Sequence, residues 1–125
     1  MSVLVDTSVL VDYLRGESDA ATTLEAQRSS GLLHASEITR LEVLAGMRPS
    51  EEGATRTLLS TLRWHPVDEE IAELAGELRR KWLPSHRNID SAALAIAATA
   101  IYVECRLLTR NVKHFPIFPD LTAPC

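Results

Sequence analysis

Short apolar runs alternate along the chain with longer stretches whose hydrophobic residues recur at helical spacing. The runs at 3–5, 32–35 and 107–108 predict buried strands, and a fourth strand is predicted over 63–67, where Pro66 confines it to a sheet edge. Two helical stretches separate each strand from the next. Strands that alternate with helices in this way predict an α/β fold with a central, mainly parallel sheet flanked by helices.

Polar residues and glycines mark the ends of the predicted helices. Thr7 and Ser8 are candidate N-caps of the first helix, Ser36 is one for the third, and Asp68 begins the fifth. Asp90 or Ser91 is predicted to cap the last and most apolar helix. The five helices predicted after the first one cover 20–30, 38–46, 54–62, 71–82 and 92–103. Residues 84–88 are predicted to form a loop.

Length and composition narrow the class of protein. The 125 residues suffice for a single domain over 1–125, and 46% hydrophobic with 24% charged residues is ordinary for a soluble globular chain. A net charge of −4 argues against a general polyanion binder, although an acidic nucleic-acid enzyme with bound cations remains compatible with it. The longest run of small apolar residues, 92–103, is shorter than a membrane span. We therefore expect a cytoplasmic protein with no membrane association.

The first strand ends at a carboxylate, Asp6. Ligands of open parallel sheets bind at the carboxyl ends of the strands, and a carboxylate there is costly unless it is paired, hydrogen-bonded or bound to a metal. Asp6 therefore is either a metal or catalytic group or simply the cap of the helix that follows.

Four polar residues are predicted to converge at this edge of the sheet. They are Asp6, Glu42 in the third helix, Asp90 at the start of the last helix, and Asn111 after the last strand. Crowded carboxylates repel one another unless a cation compensates them, and oxygen ligands suit Mg²⁺ or Mn²⁺. Such an ion can activate water and stabilise charge on a phosphate, which is the chemistry of a metal-dependent nuclease.

The segments that carry these residues resemble a known family. The stretches VDTSVLVDYL at 5–14, ITRLEVLAG at 38–46, LAIAATAI at 94–101 and LLTRNVKHF at 107–115 are similar, in the same order, to the PIN-domain ribonucleases, specifically the VapC-type toxins of bacterial toxin–antitoxin pairs. The resemblance implies a PIN-like three-layer α/β fold and Mg²⁺-dependent cleavage of RNA. It also implies a cognate VapB-type antitoxin as partner, and a homodimer.

The resemblance assigns roles to individual residues. Asp6 matches the first acid of the family, Ser8 the hydroxyl beside it, and Glu42 the second acid. Asn111 occupies a fourth position that is Asp in other members. The implied mechanism has one or two Mg²⁺ ions held by Asp6, Glu42 and, as a candidate third ligand, Asp90. Asn111 orients a ligand or a water molecule, and metal-activated water attacks an RNA phosphodiester.

The third acid is where this sequence departs from the family. Its position, three residues before the run that begins at Ile96, is Ala93, and the nearest carboxylate is Asp90. Because residues three apart share one helix face, Asp90 could replace the missing ligand; it could equally be the helix N-cap. Ala93 is either natural variation or an engineered substitution that silences a toxic enzyme. In each case the loss of a carboxylate predicts weak divalent binding and a weakened or inactive nuclease.

Flanking charges and rival functions complete the expectations. Arg110 and Lys113 flank Asn111 and are candidate contacts to RNA phosphates, whereas Asp12 is expected to be a solvent-facing helix residue. An aspartyl phosphotransferase is disfavoured because the residue two after Asp6 is Ser8 and not a second acid. The stronger rival is a catalytically inactive PIN-fold protein that binds an antitoxin in a DNA-bound repressor complex.

Overall fold

A computed structural model describes residues 2–82 and 90–115, with the side chain of His114 excepted. Within this part the chain forms four strands and six α-helices in the predicted order. The strands are β1 (Val3–Val5), β2 (Leu33–Ser36), β3 (Arg63–His65) and β4 (Arg106–Leu108). The helices are α1 (Thr7–Leu14), α2 (Ser18–Ser30), α3 (Glu37–Ala45), α4 (Glu52–Leu59), α5 (Glu69–Trp82) and α6 (Ser91–Tyr102).

The strands form a parallel sheet in the order β3-β2-β1-β4. Val3 pairs with Leu33 on one side and with Arg106 on the other, so β1 is an internal strand. All three residues of β1 are buried, as expected for a strand covered on both faces. β3 lies at the sheet edge, where a following proline costs no hydrogen bond to a neighbouring strand. The predicted mainly parallel α/β fold is confirmed.

Two hydrophobic cores lie on opposite faces of the sheet. Because successive strand residues point to opposite faces, Val3 and Val5 join one core with α1, α2 and α4, while Leu4 joins the other. The second core consists mainly of α6, with Leu107 from β4 and the inner side of α5. The three-layer arrangement implied by the family resemblance is thus present.

The last helix, α6, is the most buried element of the fold. Eight consecutive residues, from Ala93 to Ala100, are buried, and four of them besides Ala93 are also alanine. Small side chains allow the helix axis to approach both the sheet and α5, with which α6 makes its most extensive contact. The start of α6 is therefore fixed close to the carboxyl ends of the central strands.

Several predicted boundaries were wrong by a few residues. α1 begins at Thr7, so Thr7 and Ser8 are its first residues and Asp6 takes the N-cap position. α4 covers Glu52–Leu59 and not 54–62, because a 3₁₀ turn at Pro49–Glu51 leads directly into it. β3 ends at His65, before Pro66. The predicted loop at 84–88 lies outside the described residues.

No helix in the described residues is long and apolar enough to cross a membrane.

Candidate active site

Asp6 is held at the carboxyl end of β1. Its backbone N–H donates to the carbonyl of Leu108 over 2.8 Å, which continues the β1–β4 pairing by one residue. The side chain is only 5% exposed. Although Asp6 occupies the N-cap position of α1, its carboxylate accepts no capping bond from the helix backbone among the described residues. Asp6 is thus the N-cap residue of α1 by position, but its carboxylate does not form the capping bond.

Two hydroxyl groups instead bind one oxygen of this carboxylate. Ser8 Oγ donates to Asp6 Oδ2 over 2.8 Å, and Thr109 Oγ1 donates to the same oxygen over 2.7 Å. The two hydroxyls in turn accept from consecutive backbone amides, those of Arg110 (3.0 Å) and Asn111 (2.9 Å). Each hydroxyl has a single proton, which is used on Oδ2. Among the described residues no donor contacts the other oxygen, Oδ1, so it is available to a ligand.

Glu42, on the second turn of α3, is held by a similar arrangement. Thr7 Oγ1 donates to Glu42 Oε1 over 2.7 Å, and the buried hydroxyl of Thr39 lies 3.1 Å from Thr7 Oγ1. Thr7 Oγ1 is therefore within hydrogen-bond distance of both the Glu42 carboxylate, the shorter contact, and the Thr39 hydroxyl. The first residue of α1 thus joins Glu42 to the carboxyl end of β1.

These groups open into one cleft at the carboxyl edge of the sheet. Its volume is about 350 Å³. It brings together all four predicted polar residues, the predicted hydroxyl, and the position of the missing acid. The lining is formed by Asp6, Thr7, Ser8, Val11, Asp12, Glu42, Asp90, Ala93, Ile96, Asn111 and Phe115.

Asp90 lies in the wall of this cleft as the N-cap of α6. Its backbone is extended (φ −82°, ψ 164°), and Oδ1 accepts from the N–H of Ala93 over 2.7 Å. The sequence left two roles open for Asp90, metal ligand and helix N-cap, and the structure shows the capping bond. The methyl group of Ala93 lines the cleft next to it.

Arg110 and Asp12 form an ion pair beside the cleft. Arg110 Nε lies 2.9 Å from Asp12 Oδ2, and the two side chains are 22% and 36% exposed. Asp12 also lines the cleft, so the expectation that it simply faces solvent was wrong. Lys113 is exposed, and no described residue forms an ion pair with it.

The oxygen ligands in the cleft are of the kind that a hard divalent cation prefers, but one ligand is missing. Asp6, Glu42 and Asn111 offer oxygen ligands only, and Mg²⁺ is commonly held by one or two carboxylates with the remaining positions filled by water or substrate phosphate. Within residues 2–82 and 90–115, however, no three His, Cys, Asp or Glu side chains are grouped to hold a metal ion. Asp6, Glu42 and Asp90 line one cleft without forming such a group, consistent with an apolar residue at position 93.

A histidine pair lies away from the cleft, on β2 and β3. His34 Nδ1 is 2.8 Å from His65 Nε2, with the ring centroids 5.1 Å apart. Burial lowers the pKa of both imidazoles, and for His34 the charges of His65 and Arg63 lower the pKa further. The pair is therefore held in its neutral form more strongly than free histidine would be.

Three threonines of the site were missed by the sequence interpretation. Thr7, Thr39 and Thr109 each bond to a cleft carboxylate or to a hydroxyl that does so. The one available signal was the location of two of them, because Thr7 and Thr109 each lie within two residues of the carboxyl end of a strand, β1 and β4. Thr39 had no such signal, since it reaches the site only through the packing of α3 on α1.

Comparisons with known proteins identify the family of the chain. Residues 3–117 match the model of the PIN domain family. The chain is 48% identical over 122 residues to "Ribonuclease VapC19" of Mycobacterium tuberculosis, covering 97% of this chain and 98% of that protein. It is 38% identical over 122 residues to "Ribonuclease VapC10" of the same organism, covering 98% and 92%.

A solved toxin–antitoxin complex from Klebsiella pneumoniae contains a similar chain. The TM-score is 0.85 at 32% sequence identity, and the match covers 99% of this chain and 98% of that one. Family model, relatives and fold agree over almost the whole length. The chain therefore belongs to the PIN domain family.

Proposed function

We propose that this protein is the toxin of a VapBC-type toxin–antitoxin pair and a Mg²⁺-dependent endoribonuclease weakened by the residue at position 93. The observation that carries the proposal is the cleft at the carboxyl end of β1, where hydroxyl groups hold the carboxylates of Asp6 and Glu42. Two relatives that match over nearly the full chain are named ribonucleases, which supports the same reaction class.

In this proposal Asp6 and Glu42 hold Mg²⁺ or Mn²⁺, and Asn111 orients a further ligand or a water molecule. The hydroxyls of Ser8 and Thr109 fix the carboxylate of Asp6 through Oδ2, so that Oδ1 remains for the ion. Thr7 does the same for Glu42 through Oε1. When bound, such an ion supplies activation of water for in-line attack and stabilisation of charge on the phosphodiester.

The residue at position 93 limits this site. A methyl group replaces a potential oxygen ligand in the cleft wall, and Asp90 has one oxygen engaged in capping α6. If Asp90 keeps its capping bond, only its second carboxylate oxygen can bind an ion. We therefore propose that affinity for divalent ions, and with it the cleavage rate, is low in this chain.

The proposed substrate is RNA, bound through its phosphates. Lys113 is exposed and follows the cleft residue Asn111 by two positions, so the chain has an exposed cation close in sequence to the cleft despite the overall charge of −4. Arg110 has the same sign of charge but is already paired with Asp12. Lys113 is thus the better placed of the two for a phosphate contact.

The test is an RNA-cleavage assay with and without Mg²⁺, on purified protein free of antitoxin. We expect slow, Mg²⁺-dependent cleavage by the chain itself and rapid cleavage by Ala93→Asp. Asp6→Ala in either background should abolish cleavage while the fold is retained. Asp19→Ala, an exposed acid on α2 outside the cleft, is the matched control and should change nothing. Cleavage that persists in a folded Asp6→Ala protein would overturn the mechanism.

The proposed partners are a VapB-type antitoxin and a second copy of the chain. A similar chain is found in the toxin–antitoxin complex from Klebsiella pneumoniae, which supports the first. Exposed large hydrophobic residues on α3 and α6, Leu41 and Tyr102, support the second. Light scattering at micromolar concentration should give the mass of a dimer, and a monomer would contradict this part of the proposal.

A second candidate function is an inactive PIN-fold protein that binds an antitoxin in a DNA-bound repressor complex. The observation that favours it is the methyl group of Ala93 in the cleft wall. The two functions separate in the cleavage assay. If the chain itself cuts RNA in the presence of Mg²⁺, the second candidate fails; if the chain cuts no RNA but binds its antitoxin, the binding function is the correct one.

A further inference from the structure

The ion pair between Arg110 and Asp12 differs from the other ion pairs in the described part of the chain. The other three pairs, Arg28–Glu25, Arg40–Glu37 and Arg56–Glu52, each join residues one turn apart in a single helix. The Arg110–Asp12 pair instead joins the segment after β4 to α1. It is therefore positioned to fix two separate elements of the cleft to each other.

The same segment is attached to α1 at a second point one turn away. The backbone N–H of Arg110 donates to Ser8 Oγ, while its guanidinium binds Asp12. Ser8 and Asp12 are four residues apart and so lie on one face of α1. Arg110 thus contacts successive turns of this helix, once through its backbone and once through its side chain.

This attachment lies directly beside the groups that hold Asp6. Thr109 precedes Arg110 and donates to Asp6 Oδ2, and Asn111 follows it with its amide on Thr109 Oγ1. Any movement of Arg110 relative to α1 would alter both hydroxyl bonds to Asp6. The ion pair therefore restrains the geometry of the cleft.

The guanidinium head of Arg110 is turned into the protein. Its Nη1 atom is buried and has no hydrogen-bond partner among the described residues. An arginine that contacts phosphates needs a solvent-facing fork of donors. With Nε paired to Asp12 and Nη1 buried, the guanidinium does not present its full set of donors to a phosphate in this arrangement.

We propose that Arg110 and Asp12 are positioning residues that clamp the 109–111 segment onto α1 and so fix Asp6 and Asn111 in the cleft. The clamp itself follows from the contacts of this chain; its importance for metal binding rests on the proposed function. Arg110 is accordingly a positioning residue of the site, and Lys113 is the candidate contact to RNA phosphates.

The first test is amide hydrogen exchange at Arg110 and Asn111, which requires neither metal nor activity. In Asp12→Asn, Arg110→Gln and the double variant, exchange of these two amides should rise by a similar factor, about threefold to fivefold. The double variant should add nothing to the single ones, because both remove one interaction. Arg40→Gln breaks a comparable ion pair within α3 and is the matched control. Unchanged exchange in the single variants, or fully additive effects, would overturn the clamp.

The second test is Mn²⁺ affinity in the Ala93→Asp background, with unfolding monitored separately. The clamp predicts that Asp12→Asn and Arg110→Gln weaken Mn²⁺ binding by a similar factor. A loss of Mn²⁺ affinity confined to Asp12→Asn would mean that Asp12 is itself a metal ligand. If RNA binding by the same variants is weakened in Arg110→Gln alone, Arg110 is a phosphate contact. Either result overturns the proposal. If Ala93→Asp binds no Mn²⁺, the proposed function fails, while amide exchange still decides the clamp.

Discussion

Replacement of Asp90 separates its role as a helix cap from a role as a metal ligand. In the structure Oδ1 of Asp90 accepts from the N–H of Ala93 over 2.7 Å at the start of a twelve-residue helix. Asp90→Ala removes both the acceptor and the negative charge. Asp90→Asn removes the charge but keeps an oxygen that can accept the same bond.

The size of each effect follows from these two components. Loss of an N-cap side chain costs about 1 kcal/mol, and loss of a negative charge at a helix N-terminus costs about 0.3–1 kcal/mol more. Asp90→Ala should therefore destabilise the fold by roughly 1–2 kcal/mol, and Asp90→Asn by less than about 1 kcal/mol. For a domain of this length, 1 kcal/mol corresponds to a decrease in Tm of about 3–5 °C.

Thermal unfolding followed by circular dichroism, without divalent ions, measures both variants. Ser91→Ala is the matched control, because Ser91 is the neighbouring polar residue at the start of α6 and its side chain does not form the cap. It should leave Tm nearly unchanged. Equal destabilisation by Asp90→Ala and Asp90→Asn, or none by Asp90→Ala, would refute the assignment of Asp90 as an N-cap.

Two further predictions concern other polar groups. Thr109→Val removes a hydroxyl that donates to buried Asp6. It should lower the free energy of unfolding, measured by chemical denaturation, by about 1–3 kcal/mol. Thr99→Val is its control, because within the described part of the chain this equally buried hydroxyl bonds to the carbonyl of Ala95 in its own helix, and it should cost clearly less. Burial lowers the pKa values of His34 and His65 below 6.5, so the unfolded chain binds more protons in acid and stability should fall as pH decreases below about 6.5. Melting curves from pH 7.5 to 5.5 should show a smaller decrease in a variant with both histidines replaced by Gln; an unchanged slope would contradict this.

The sequence predicts the fold well because local signals and burial agree. The apolar run at 3–5 is a strand buried on both faces, and Ser36 forms the predicted cap by accepting from the N–H of Ile38. Asp6 was located correctly because a charge that ends a central strand lies at the sheet edge whatever the loops do. These features depend on neighbours along the chain.

The support of the site could not be predicted in the same way. Thr109 and Asp6 lie at opposite ends of the chain, and their hydrogen bond exists only because β4 pairs with β1. The pair between Arg110 and Asp12 depends on the same packing, so the sequence alone suggested a phosphate contact and a solvent-facing acid. Contacts of this type require the tertiary arrangement, which a pattern of residue types does not contain.

The most direct test of the central claim is titration calorimetry of Mg²⁺ into this chain and its Ala93→Asp variant under identical conditions. We expect clear binding by the variant and little or none by the chain, because a carboxylate at position 93 joins Asp6 and Glu42 in the cleft wall. Equal binding by both proteins would contradict the claim and would mean that another group, such as the second oxygen of Asp90, already completes the site.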